Sequence, residues 1–205
     1  MPACLLRIDL RKQPRCTTMP PVQPILFYTV GYPGAGKTTL ASALTFWLEG
    51  EHLRGDKIGL ELFRFPTFSP AERQAVYQEM QYRAGEALKS GQHVLYDAAT
   101  NAQAQRAAVV ALAKHYNAPA IGLWVQVPTE KAMKRAGKMR DSGVAGPVAR
   151  IIPPEIFMQY VQAFESPNNE TGVIEISGDA PFALQYRRLS RRLRHYGIQL
   201  PEMIQ

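Results

Sequence analysis

The segment Ile25-Leu-Phe-Tyr-Thr-Val-Gly-Tyr-Pro-Gly-Ala-Gly-Lys-Thr-Thr-Leu40 joins two different kinds of sequence without a spacer. Its first six residues, Ile25 to Val30, form an apolar run bounded by Pro24 and Gly31, a pattern suited to a strand buried on both faces. The next eight, Gly31 to Thr38, match G-x-x-x-x-G-K-S/T at every fixed position. Glycines let the backbone curl so that successive N–H groups face phosphate oxygens. A helix opening at about Lys37 presents its positive end to the same anion. Lys37 then reaches the β- and γ-phosphates of a nucleotide, and the Thr38 hydroxyl holds Mg²⁺. Gly31, Pro33, Gly34, Ala35, Gly36, Lys37, Thr38 and Thr39 are the residues expected to touch the nucleotide.

Outward from this loop the pattern stays regular. The first helix runs to about Glu49. Ser69-Pro70-Ala71-Glu72 opens a long second helix, with serine as N-cap, proline at the first helical position and glutamate placed for a capping box; it ends at Ser90-Gly91. His93 to Asp97 reads as a second buried strand, 102–115 as an alanine-rich helix, and Ala120 to Val127 as a third strand stopped by Pro128. Helical patterns recur at 129–140, 154–165 and 181–195, and Gly172 to Ser177 is a last strand. Strands alternating with helices predict βαβ units, hence a parallel sheet with helices on both faces. Residues 1–24 hold five prolines and no periodicity, and read as a disordered N-terminal tail in which Met19 offers a second start. Residues 25–200 read as one domain.

Three sites bear on what is done with the phosphate. Asp97 closes an apolar strand, where a carboxylate orients Mg²⁺ through its water shell; the alternative is a plain helix cap. Asp56 lies between the first helix and the short apolar segment Ile58 to Phe63. There it is either a general base taking the proton of an acceptor hydroxyl or part of a solvated Gly55-Asp56 turn. Lys131, Lys134, Arg135, Lys138 and Arg140 make a basic stretch, with Gly143, Gly146 and Pro147 just beyond it. It is either a lid over 129–150 that closes on the transferring phosphoryl group or a solvated helix face. Arg135 and Arg140 suit the lid role best, because guanidinium groups bind phosphate bidentately.

Composition narrows the classes. The chain has 205 residues, 46% hydrophobic and 20% charged, enough to bury a core without disulfide or metal staples. Its two cysteines, Cys4 and Cys16, form neither a metal pattern nor a disulfide framework, which fits a reducing cytoplasm. Charges interrupt the apolar residues of the N-terminus, so no secretory leader is expected, and no run is long enough to span a membrane. The net charge of +7 resides at the two ends: residues 21–184 carry fifteen basic and fifteen acidic side chains, and residues 185–205 carry five arginines against Glu202. Basic ends suit an anionic partner such as nucleic acid, or else form an ordinary solvated arginine face. The four histidines lack metal-ligand spacing.

Taken together, these residues resemble the P-loop kinases of the polynucleotide-kinase and zeta-toxin type, within a wider AAA-like ATPase group. The resemblance spans about 25–195 and rests on GYPGAGKTTLA at 31–41, Asp56 with GLELF at 59–63, and PTFSPAER at 66–73. It continues through VLYDAATN at 94–101 with Arg106, the basic stretch, and RIIPPE at 150–155 before Glu165. It implies a three-layer P-loop NTPase fold of about five mostly parallel strands with a helical lid, and transfer of the γ-phosphoryl group of Mg–ATP to a hydroxyl acceptor. Asp56 would be the base and Arg135 and Arg140 the lid arginines. Two positions depart from the family. Gly59 stands where an arginine commonly touches the acceptor, and Asp97-Ala-Ala-Thr-Asn101 replaces the usual D-x-T-N. The acceptor is therefore open between a small molecule and a nucleic-acid 5′-hydroxyl end. A nucleotide-dependent switch with slow hydrolysis is the reading from another class. No obligate protein partner is evident.

Overall fold

A computed structural model describes residues 23–67, 69–138 and 151–202. Five strands form one sheet in the order β2-β3-β1-β4-β5, and every neighbouring pair is parallel. They are β1 (Leu26–Val30), β2 (Glu51–Arg54), β3 (Val94–Asp97), β4 (Ala120–Gln126) and β5 (Val173–Ser177). The helices between and after them are α1 (Lys37–Leu48), α2 (Gly55–Leu62), α3 (Pro70–Lys89), α4 (Gln103–His115), α5 (Thr129–Ala136), α6 (Pro154–Gln162) and α7 (Phe182–Arg194).

The strand at 25–30 explains the three layers. Ile25 and Phe27 point into one core with Leu40, Leu44 and Leu48 of α1 and Leu189 and Leu193 of α7. Leu26, Tyr28 and Val30 point into the other, against Met80, Ala84 and Leu88 of α3 and Val109 and Ala113 of α4. The two-residue period of a strand sends alternate side chains to opposite faces, so a run apolar at both parities needs helices on both sides. Each such side chain contributes roughly 1.5–3 kcal/mol on burial.

Two elements differ from the sequence expectation. The chain between α1 and α3 contains both the edge strand β2 and the helix α2, where an apolar segment and a turn are read from the sequence. β2 is short and polar, with Leu53 its only buried residue, and therefore carries no apolar run. In α2 only Ile58 is buried. At α3, Ser69 is the N-cap as expected, its Oγ accepting from the Glu72 N–H at 3.2 Å. The Glu72 carboxylate reaches further back and accepts from the Thr67 N–H at 2.8 Å. Helix α5 ends at Ala136 with Gly137 as its C-cap, short of the expected 140, and the lid residues 139–150, with Arg140, lie outside the described residues.

The order of strands sets the site. The connection leaving β1 passes over one face of the sheet through α1, and the one leaving β3 passes over the other through α4. A crevice opens at the carboxyl ends of β1 and β3, where chains diverge to opposite faces; ligands of such sheets bind there.

Candidate functional site

The loop between β1 and α1 turns three times through left-handed backbone, at Gly31 (φ 136°), Gly34 (φ 80°) and Gly36 (φ 102°). Only glycine takes these angles without strain. Space gives a second reason: a Cβ on Gly34 would stand 2.3 Å from the Ala132 carbonyl oxygen, because α5 lies directly on the loop. Gly36 caps α1 without any side-chain bond, which leaves the first N–H groups of the helix for an anion.

Lys37 follows at the first position of α1. Its Nζ donates to the carbonyls of Gly31 (2.8 Å) and Tyr32 (2.9 Å). Burial pushes its ammonium down to about 8 from the ordinary 10.5, and the negative charge of Asp97 partly offsets this. A cation so placed, with carbonyl dipoles as its bonded partners, is stabilised by an arriving triphosphate. Thr38 occupies the next position, half-buried, and Thr39 is exposed beside it.

Asp97 ends β3 next to the loop and is buried. Its Oδ1 accepts from the Thr29 hydroxyl at 3.4 Å, and its Oδ2 lies 3.1 Å from His52 Nε2. A hydroxyl at the helix start and one buried carboxylate suit Mg²⁺, which keeps several waters and takes its other ligands from phosphate. Among the described residues no cluster of three His, Cys, Asp or Glu competes for that place.

The β3–α4 turn is tied to the loop by Thr100 and Asn101. Thr100 Oγ1 donates to the Thr29 carbonyl at 2.8 Å, and Asn101 Oδ1 accepts from the Gly31 N–H at 3.0 Å. Asn101 Nδ2 is buried without a partner among the described residues, a donor held beside the phosphate loop. Both contacts exist despite the extra residue in Asp97-Ala-Ala-Thr-Asn101. With these two side chains engaged, the N-cap of α4 falls on Ala102, whose N–H is met at 3.1 Å by the Gln105 side chain. Arg106, almost fully buried, braces the turn: it donates to the Thr100 and Asn101 carbonyls and forms a bidentate pair with Glu170.

Asp56 stands in the first turn of α2, on the rim of the same strand ends, since Arg54 of β2 pairs in register with Asp97 of β3. Both Asp56 carboxylate oxygens are taken by Arg54, at 3.0 Å from Nε and 2.6 Å from Nη2. The pair raises the Arg54 guanidinium above its ordinary value. Position Gly59 lies one turn on, against Val76, with no basic side chain.

On the other flank, a cavity of about 270 Å³ opens beside the loop, lined by Gly36, Thr39, Arg135, Gly178 and Phe182. Arg135 and Lys131 of α5 both hold Asp179, at 2.7 and 2.9 Å, and the Lys131 bond, then that from Arg135, keeps its carboxyl below the usual range. The structure thus brings Lys37, Thr38, Asp97 and Arg135 around one loop, with Asp56 on the rim. His52 and Asp179 join them without having been singled out by sequence pattern, and Asn101 joins them from the Asp97–Asn101 segment.

A family model described as an AAA domain matches residues 26–167, which contain the loop, Asp56, Asp97 and α5. The chain belongs to this AAA domain family. No curated protein sequence is significantly similar to it. Among solved structures this AAA domain is similar to a gluconokinase from Sinorhizobium meliloti 1021 (15% identity, TM-score 0.60), with 85% of this chain and 98% of that one covered. It is similar to Kti12 of Chaetomium thermophilum in complex with ADP-AlF3 (18%, TM-score 0.64, 82% and 97% covered). It is also similar to the Mycobacterium tuberculosis APS kinase CysC in complex with AMPPNP and APS (18%, TM-score 0.62, 84% and 99% covered). At these identities the likeness is one of fold: a three-layer α/β P-loop NTPase fold. No helix among the described residues is long and apolar enough to cross a membrane.

Proposed function

We propose that the protein is an ATP-dependent kinase that moves the γ-phosphoryl group of Mg–ATP to a hydroxyl acceptor. The observation that carries this reading is Lys37, desolvated beneath the loop carbonyls beside Asp97, with unfilled helix N–H groups in front of it. In this reading the loop N–H groups and Lys37 bind the β- and γ-phosphates, and Asn101 Nδ2 offers a further donor to them. Mg²⁺, held by Thr38 and through water by Asp97, would neutralise charge on the same phosphates. Arg135 exchanges Asp179 for the transferring group, which excludes water from it. Asp56 accepts the proton of the acceptor hydroxyl as that oxygen attacks phosphorus, and ADP leaves with the bond it held to the γ-phosphoryl group.

The finer form of the reading is kinship with polynucleotide and zeta-toxin kinases, with a 5′-hydroxyl end as acceptor, in a cytoplasmic enzyme. Gluconokinase and APS kinase among the similar structures support a small-molecule acceptor equally. One observation favours the nucleotide-dependent switch instead. Asp56 is engaged at both oxygens by Arg54, so a base must first be released. Consumption of Mg–ATP across sugars, nucleosides, antibiotics and 5′-hydroxyl oligonucleotides separates these. Acceptor-stimulated turnover that is lost in Lys37→Ala is the kinase result. Slow hydrolysis indifferent to every acceptor, with a partner whose affinity differs between ATP and ADP, is the switch result.

A further inference from the structure

Helix α7 turns Gln185, Tyr186, Leu189 and Leu193 into the core and leaves Arg187, Arg188, Arg191, Arg192 and Arg194 outside. At about 100° per residue these five occupy one arc of roughly 160°. The helix has no acidic residue, and none of the five forms an ion pair among the described residues. A carboxylate three or four residues away along a helix would pair with an exposed arginine; α7 supplies none, and no described residue replaces it.

One arginine of that arc, Arg188, lines a cavity. About 470 Å³ of space beside the C-terminal ends of β4 and β5 is lined by Tyr32, Trp124, Phe164, Glu175, Ser177 and Arg188. Phe164 lies 5.0 Å from Tyr32 and 6.3 Å from Trp124, inclined only 30° to the indole, so the aromatic surface is continuous. Trp124 and Glu175 are register partners on adjacent strands, which sets a carboxylate beside the indole. The same two residues line a second cavity of about 350 Å³ with Asn168 and Asn169, extending the groove along the edge strand.

We propose that this groove and the α7 arginine face form a binding site for single-stranded nucleic acid. A base enters beside Trp124 and Phe164, and the phosphodiester backbone leaves past Arg188 along the arginines. Aromatic surface for the bases with a basic track for the backbone is how unpaired strands are held. Glu175 is an acceptor only, so it selects a base that presents an exocyclic amino donor. The site adjoins the phosphate loop, whose Gly31 and Tyr32 line it, on the β4–β5 side away from Asp97 and Asp56, and binding there does not require that the protein transfer phosphate.

The test is fluorescence anisotropy of the full chain with labelled single strands of about 12 nucleotides, as RNA and as DNA, from roughly 50 to 200 mM salt. Binding is expected, with affinity falling as salt rises. The variant Arg187→Ala/Arg188→Ala/Arg191→Ala/Arg192→Ala, checked for native circular dichroism, should bind at least about 10-fold more weakly, with the slope of log K against log salt smaller by about 3. In a Trp47→Phe background the strand should quench Trp124, whereas inorganic polyphosphate should not. Cytosine strands should bind better than uracil strands, a preference that Glu175→Gln removes. The RNA and DNA arms show which strand is held more tightly. No binding at low salt, unchanged affinity in the arginine variant, equal quenching by polyphosphate, or stronger binding to phosphatidylserine vesicles than to either strand would each overturn the proposal.

Discussion

On the phosphate side of the crevice, Asp97 and Asn101 flank the loop that holds Lys37, and are tied to it by the Thr29 hydroxyl and the Gly31 N–H, 68 and 70 residues away in the chain. On the acceptor side, Asp56 is held only by near neighbours: a partly exposed pair with Arg54, two residues away, and the Lys57 N–H beside it. The first arrangement exists only because the sheet is assembled, and it moves only if the sheet does. The second is local, and partly exposed pairs of this kind are worth about 0–1 kcal/mol, so a ligand opens it cheaply. The nucleotide half is therefore preorganised, while the acceptor half is completed by what it binds.

Replacing Asp56 gives the largest expected effect and the sharpest division between the halves. Asp56→Asn should lower phosphotransfer about 100- to 10,000-fold, the usual contribution of a general base, while ATP affinity changes little. Matched steady-state rates and ATP titrations check this; unchanged turnover removes Asp56 from the reaction and favours the switch.

Arg106→Met strikes the other half. It leaves Glu170 without its buried partner and the Thr100–Asn101 turn without its brace, so unfolding free energy should drop by about 3–5 kcal/mol. Urea denaturation measures the loss, and ATP affinity should fall with it because Asn101 no longer holds Gly31. A variant as stable as the parent would mean that the turn is fixed by other contacts.

The Lys37 ammonium titrates near 8 in the free protein and near 10.5 when unfolded. Between those values the unfolded chain holds the extra proton, so stability of the ligand-free protein rises with pH across that window, and Lys37→Met flattens the rise. A bound triphosphate favours the charged amine. Calorimetric titration with ATP in two buffers should then show proton uptake above pH 8 and little at pH 7. Equal heats of ionisation at both would mean that the lysine is already charged in the free loop.

The smallest effect is at the start of α3, next to α2. Ser69→Ala removes the cap that accepts the Glu72 N–H and should cost about 1 kcal/mol by thermal unfolding, with ATP affinity unaltered. A change in ATP affinity would show that the two halves are more tightly joined than the contacts indicate.

The same contrast decides how much could be read without coordinates. β1, the glycine loop, α1 and β3 announce themselves because buried strands must be apolar at both parities and the loop must be glycine at fixed places. β2 does not, because an edge strand with Leu53 alone buried has no pattern to display. Gly55-Asp56 looks like a turn, although an aspartate in the first turn is also favourable for a helix, which is what α2 uses. His52 reaches the site through strand register, which leaves no trace in its spacing, whereas Asn101 reaches it from the turn after β3, within the Asp97–Asn101 segment that the motif already marks. Asp179 becomes functional only when β5 delivers it to α5, a contact between segments more than forty residues apart.

The most direct test of the preorganised nucleotide half is equilibrium binding of ATP with Mg²⁺ to the parent protein and to Lys37→Ala. Saturable one-to-one binding, weakened at least about 10-fold in the variant as expected for a lost charged contact, is the predicted result. A correctly folded parent that does not bind ATP, or a variant that binds it equally well, would contradict the assignment.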